Sequence, residues 1–300
     1  MGEPPLTNQA WDSLIQEVQR EADEEAAAAA AIPREICHRR TIPRDHVGAA
    51  ERLMTDYFSA DPRYPAEIFR RRFRMSRPLF THIATTLADR FECFTLRSDC
   101  TGRIGSVYFA FCKGIREVFG PEFLRKPTPD ECQRLLDMHG AVHNFPGMMG
   151  SIDCMHWEWK NCPVAWKGQF TTGSNNDINV LQSSPIFNDE CRGEGPQISF
   201  VANGTQYRRG YYLADGIYPR WPVFVKTLRQ PAGAKRQYFA RKQEAARKDV
   251  ERAFGVLQAR WAILRCPARV WHEDDVADIM VACIILHNMI IEDEGFAAER

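Results

Sequence analysis

Gly150-Ser151-Ile152-Asp153-Cys154-Met155-His156-Trp157 sets one carboxylate inside an apolar, broadly alternating run. The run extends over residues 148–159 and suits a β-strand. Burying a carboxylate there is costly unless a cation or hydrogen bonds compensate it. Asp153 is therefore either a functional ligand or an acid on the solvent face of an edge strand.

Two more acids occupy comparable places. Asp215 closes the run Gly210-Tyr211-Tyr212-Leu213-Ala214-Asp215-Gly216. Asp-Gly after a strand is an ordinary turn signal, yet a strand's end also presents a ligand rigidly at an open tip. Glu251 lies in a helical stretch whose stripe is Val250, Phe254, Leu257 and Trp261. It falls beside that stripe and equally suits an exposed pair with Arg247 at i−4. Two strand acids and one helix acid meeting at a sheet end could hold Mg²⁺ or Mn²⁺, since hard ions prefer carboxylate oxygens.

Outward from this region the texture is helical first, then strand-rich, then helical again, which argues for an α/β or α+β unit behind a helical region. Ile198–Ala202 and Tyr207–Ala214 are expected as strands, paired as a hairpin about Asn203-Gly204. Residues 173–181 carry turn chemistry running into apolar residues. Upstream, Pro65 is placed to open a helix through Arg74, and Ser76 to cap a second with Pro78 in its first turn. These two helices suit either a helix-turn-helix or a plain helical hairpin. Residues 107–119 and 128–140 are further helices, the second opened by Thr128 and Glu131 at capping-box spacing. His139 and His143 sit four apart without a third ligand, and Cys154, His156 and Cys162 miss standard zinc spacing. A last helix is expected over residues 274–291. Residues 1–47 read as an acidic, alanine-rich tail and 293–300 as a short one.

The net charge is zero, but its distribution is uneven. Residues 1–31 hold seven acids against Arg20, and residues 273–300 eight against Arg300. Residues 63–77 carry six arginines against Glu67, and residues 220–252 ten basic side chains against three acids. Such patches attract polyanions even in a neutral protein, and they also suit solvated helix faces. Ten cysteines without a CxxC pair suit reduced thiols. The amino end lacks the basic and apolar pattern of a secretory signal. The longest apolar stretch, residues 279–291, is too short to span a bilayer.

Five blocks, in order, carry a family resemblance. Phe145-Pro146-Gly147-Met148-Met149-Gly150-Ser151-Ile152-Asp153-Cys154-Met155-His156-Trp157-Glu158-Trp159-Lys160-Asn161-Cys162-Pro163-Val164-Ala165-Trp166-Lys167-Gly168-Gln169 is similar to the first-aspartate block of plant PIF/Harbinger transposase proteins. Gly173-Ser174-Asn175-Asn176-Asp177-Ile178-Asn179-Val180-Leu181 matches the next block. Gly210 to Pro219 resembles the second-aspartate block, residues 243–258 the glutamate block, and Ile284-Ile285-Leu286-His287-Asn288-Met289 the closing helix. The resemblance implies an RNase H-like mixed sheet flanked by helices over residues 146–292, behind a helix-turn-helix-like region over 48–145. It implies a DDE nuclease or strand-transfer centre with Asp153, Asp215 and Glu251 as catalytic metal ligands. It also implies Mg²⁺ or Mn²⁺, a nuclear location, DNA as partner through the basic patches, and a separate DNA-binding protein beside it.

The chain is shorter than the family pattern in two places. Between Gln169 and Gly173 roughly thirty residues are missing, enough for two strands and their turn, which predicts an incomplete sheet with an unpaired edge. Near Gly105-Ser106-Val107 helical sequence is missing. The alternative expectation is therefore a catalytically inactive descendant that binds DNA or chromatin.

Overall fold

The structure is a computed structural model, and it describes residues 16–21, 24, 45–94, 108–170, 176–192 and 195–298. Most of the acidic tail, the shortened stretch near Gly105 and residues 171–175 lie outside the described residues. The chain divides into two compact units, Met1–Arg63 and Tyr64–Arg300. In the first, α1 (His46–Leu53) is capped by the Asp45 carboxylate, which accepts the Gly48 N–H at 2.8 Å.

The second unit opens with α2 (Ala66–Phe73) and α3 (Arg77–Arg90). Arg74 takes a left-handed φ of 65° and ends α2. Ser76 caps α3 by accepting the Leu79 N–H, with Pro78 in the first turn, as its sequence requires. Phe69, Phe73 and Phe80 pack together in the corner between them. Next come α4 (Tyr108–Phe123) and α5 (Pro129–His143). The Thr128–Glu131 capping box is formed, and Asn144 at φ 60° stops α5 and delivers the chain to the sheet.

The sheet is small and parallel. β1 (Met148–Ser151), β4 (Tyr211–Ala214) and β5 (Phe224–Lys226) lie in the order β1-β4-β5. Between them run α6 (Val164–Lys167), α7 (Asp177–Ser183), α8 (Asn188–Arg192) and a separate antiparallel hairpin, β2 (Phe200–Ala202) with β3 (Thr205–Tyr207). Its turn is Asn203-Gly204, both with positive φ, as a tight hairpin turn needs. α9 (Ala234–Arg260) and α10 (Glu273–Ala298) close the chain. The architecture is thus mixed α/β, with small parallel and antiparallel sheets between helices. The main sheet is incomplete, because β1 has β4 on one side and no strand on the other among the described residues.

Two expected strands are shorter than the sequence suggests. In residues 148–159 the strand β1 ends at Ser151, and only Trp159 pairs again, in an isolated parallel bridge with Ala268. Beyond Ser151 the chain is held by residues 266–270, where Trp157 and Trp159 donate their indole N–H groups to the Cys266 and Val270 carbonyls at 2.8 and 2.7 Å. These indole bonds act together with a short parallel bridge, in which the Ala268 N–H donates to the Glu158 carbonyl at 2.8 Å and the Lys160 N–H to the Ala268 carbonyl at 2.9 Å. The expected strand over residues 207–214 breaks at 208–210, so that β3 and β4 belong to different sheets. A Cβ on Gly210 would lie 2.5 Å from the Met149 side chain. Glycine therefore lets the backbone cross closely over β1 between the two sheets.

Apolar packing fixes the frame. α4 and α10 bury Ile115 and Phe119 with Ile279, Ile285, Leu286 and Ile290. Their ends are tied where Asn288 Nδ2 donates to the Phe123 carbonyl at 2.8 Å. One sheet cluster joins Leu181, Phe187, Tyr218 and Phe224, and another joins Met148 and Leu213 with Ala246 of α9. Among the described residues no helix is long and apolar enough to cross a membrane.

Gln243 is the polar pin of this frame. It is fully buried and its Nε2 donates to the carbonyls of Ala214 (3.1 Å) and Val225 (3.3 Å). These lie at the outgoing ends of β4 and β5, so one side chain locks α9 onto both. Gln243→Ala is expected to lower unfolding free energy by about 2 kcal/mol, since it removes two buried hydrogen bonds between α9 and the sheet. Urea unfolding of the full chain measures it, and a loss under about 0.5 kcal/mol, the range of a surface substitution, would refute the pin.

Candidate functional site

Parallel register decides where the strand acids fall. Ser151 is paired with Leu213, and Ile152 N–H donates to the Leu213 carbonyl at 2.9 Å. Asp153 and Asp215 each stand two residues beyond that pair. They follow the carboxyl ends of neighbouring strands, past the last residues that pair β1 with β4. Asp153 is half-buried, just past β1 and not inside it. Its Oδ1 accepts the Cys154 N–H at 2.9 Å. Asp215 also caps its own turn, accepting the Gly216 N–H through Oδ1. The turn reading and the ligand-presenting reading of Asp-Gly thus describe the same residue.

The third acid arrives through α9. Gln243, Arg247 and Glu251 recur at four-residue spacing along one helix face. With Gln243 locked to the strand ends, Arg247 reaches the tip of β1. Its Nη1 lies 3.2 Å from Asp153 Oδ2, and its Nη2 lies 2.9 Å from Glu251 Oε1. One guanidinium therefore bridges the first strand acid and the helix acid. Arg247 and Asp153 are mostly shielded, with side-chain exposures of 17% and 20%, while Glu251 is 46% exposed. The i−4 pair expected for an ordinary surface glutamate is present, but its arginine points into the sheet end and makes a second ion pair there.

The neighbours are polar. His156 Nε2 lies 3.2 Å from Asp177 at the start of α7. Cys154 Sγ lies 3.5 Å from the Tyr218 hydroxyl, and burial pushes both groups above their ordinary pKa values. His139 and His143 stack on α5, where His143 Nε2 meets Asp249 at 2.8 Å. Burial, and then the His143 charge, hold His139 below its usual value.

Among the described residues, no three His, Cys, Asp or Glu side chains are grouped closely enough to hold a metal ion. The donor types at the strand tips fit a hard divalent cation, since all three are carboxylates. Their arrangement, however, has the Arg247 guanidinium between two of them. Sequence pattern alone singles out Asp153, Asp215 and Glu251. It does not reveal the organising roles of Gln243 and Arg247, whose one signal is a polar i, i+4, i+8 line ending at Glu251.

A family described as plant transposon protein matches residues 121–174 and 171–298. These two stretches cover more than half of the chain and contain all three acids, and the protein belongs to that family. The two matched pieces meet at residues 171–174, within the connection that the sequence shows to be short. A domain of unknown function matches residues 50–88. Comparison with curated proteins and with solved structures found no match.

The ion pairs around Arg247 are unequal. A double-mutant cycle between Asp153→Asn and Arg247→Met is expected to give a coupling of about 1–2 kcal/mol, because both groups are shielded from water. The cycle between Arg247→Met and Glu251→Gln should give only a few tenths, as for exposed helix pairs. Equal couplings, or a larger one at Glu251, would contradict the bridge as described.

Proposed function

We propose that this plant transposon protein is a PIF/Harbinger-type transposase derivative that acts on DNA phosphodiester bonds. Asp153, Asp215 and Glu251 would be its catalytic and metal-binding carboxylates. The observation that carries this reading is that Asp153 and Asp215 follow the carboxyl ends of paired parallel strands, each two residues beyond the Ser151–Leu213 pair, with Glu251 joined to Asp153 through Arg247. An RNase H-like DDE centre needs two strand acids and one helix acid at one sheet end.

A bound Mg²⁺ or Mn²⁺ would supply an activated water or hydroxyl and stabilise the leaving oxygen. The chain's own residues prepare the place. The β1–β4 ladder fixes the backbones that carry two carboxylates, and Gln243 fixes the helix that carries the third. Arg247 pairs with Asp153 and Glu251 and offsets their charge. The exposed basic side chains Lys235, Arg236, Arg241 and Lys242 on the first turns of α9 suit a DNA backbone, held without sequence readout. A nuclear location and a separate protein that supplies DNA specificity belong to this proposal.

A second reading draws on the Arg247 bridge itself and on the incomplete sheet. In it the guanidinium permanently replaces the cation, and the chain binds DNA without cutting it.

Nicking of supercoiled plasmid separates the two. The first reading expects Mg²⁺- or Mn²⁺-dependent nicking by the full chain that falls at least a hundredfold in both Asp153→Asn and Asp215→Asn, on the scale of losing a preorganised charge-stabilising group. Binding of the plasmid without metal-dependent nicking, unchanged in these variants, would establish the second and overturn the first.

A further inference from the structure

Away from the strand tips, the two histidines that stand four apart in the sequence gain a neighbour that the sequence does not show. His139 and His143 lie on one face of the last turns of α5, with ring centres 5.7 Å apart. His143 Nε2 lies 2.8 Å from Asp249 Oδ2 on α9. The other oxygen of Asp249, Oδ1, accepts a hydrogen bond from Arg252. The His143 side chain is 17% exposed. Two imidazoles from one helix and a carboxylate from another thus stand together at the seam between α5 and α9.

The backbones on both sides of this seam are held by packing. Phe145 and Met148, which follow α5 directly, pack with Ala246 of α9. Asp249 lies two residues before Glu251, about 200° round the helix. The seam and the strand tips therefore lie on different faces of α9.

We infer that His139, His143 and Asp249 bind one Zn²⁺ ion, at a site separate from the strand-tip carboxylates. Donor type decides the ion. Two imidazoles and one carboxylate suit zinc in a three-ligand site with an open fourth position, whereas Mg²⁺ prefers oxygen throughout. Histidines four apart on one helix face are a common zinc-binding pair. Their spacing agrees, since tetrahedral Zn–N bonds of about 2.0–2.1 Å put imidazole centres roughly 5 Å apart, close to the 5.7 Å seen here. In the arrangement seen, His143 meets Asp249 directly and the three donors do not surround a single point. An ion entering between those two groups replaces their contact, and a rotamer change of His139 completes the set. Arg252 on the far carboxylate oxygen then orients the ligand, as outer partners of metal sites do. The bound ion ties α5, which leads into β1, to the helix that carries Gln243 and Arg247. The inference is independent of the DNA-acting reading.

The test is Zn²⁺ titration of the metal-stripped full chain in competition with a chromophoric chelator, with melting temperature as a second readout. The wild type is expected to bind one equivalent and to melt at least about 3 °C higher when saturated. His139→Gln and Asp249→Asn change one helix each and keep size and hydrogen bonding. Each is expected to weaken Zn²⁺ binding at least tenfold, the scale on which even outer partners act, while melting near the wild type without metal. Either variant that folds decides the question. Asp153→Asn should bind Zn²⁺ as the wild type does, and excess Mg²⁺ should not displace it. Co²⁺ in place of Zn²⁺ should give ligand-field absorption without a thiolate charge-transfer band.

Wild-type affinity in a folded His139→Gln or Asp249→Asn variant would overturn the site. Loss of binding in Asp153→Asn, displacement by Mg²⁺ or a thiolate band would place the ion elsewhere and overturn it equally. Wild-type binding weaker than about 10 µM would leave His143 and Asp249 as a plain ion pair. None of these outcomes bears on whether the chain acts on DNA.

Discussion

The parallel pairing of β1 with β4 is the constraint on which the rest depends. It carries Asp153 and Asp215 off the carboxyl ends of neighbouring strands, and like charges brought near one another repel. Unit charges about 4 Å apart interact by about 4 kcal/mol at a near-surface effective dielectric of about 20. A neighbouring positive charge must offset such a repulsion if the acids stay ionised. Arg247 supplies one, and it does so from a helix that Gln243 has already fastened to the same strand ends. The geometry and the electrostatics of the tip thus come from one pair of strands and one helix face.

The sheet around this tip is only part of what a larger mixed sheet would offer. Among the described residues β1 lacks a strand on its outer side, and the chain beyond it is held by tryptophan indoles bonded to residues 266–270. A strand edge left open is a site for slippage or for pairing with another chain. Here the apolar packing of Met148 and Met149, and the close crossing of Gly210, hold β1 from within. The place of the acids therefore depends on few elements, all of which are present.

Much of this was legible in the sequence where local chemistry dominates. Ser76, Thr128 with Glu131, and Asn203-Gly204 each act as the cap or turn that their side chains favour. The α/β class and the unpaired sheet edge followed from the order of apolar patterns and from the short link after Gln169. Strand lengths were not legible. Alternation continues past Ser151 and across residues 208–210, but pairing depends on partners distant in the chain, and tryptophan anchoring gives the same pattern as a ladder. Of the site, the acids stood out as charges in apolar runs. Their place on neighbouring strands needed the strand pairing, which no single strand encodes. Gln243 was invisible because a polar residue in a charged helix looks solvated until the strand ends meet it. Arg247 was visible only as the partner of Glu251, since its second partner lies 94 residues earlier.

In the function proposed above, the two strand-tip aspartates share one cation, and Arg247 must leave Asp153 for it to bind. Anomalous diffraction from crystals of the full chain grown with Mn²⁺ tests it most directly. The account predicts a single peak within coordination reach of carboxylate oxygens from both Asp153 and Asp215, with the Arg247 guanidinium moved off Asp153. A Mn²⁺ peak bound to neither aspartate, or no peak there with the Asp153–Arg247–Glu251 bridge intact at saturating metal, would contradict it.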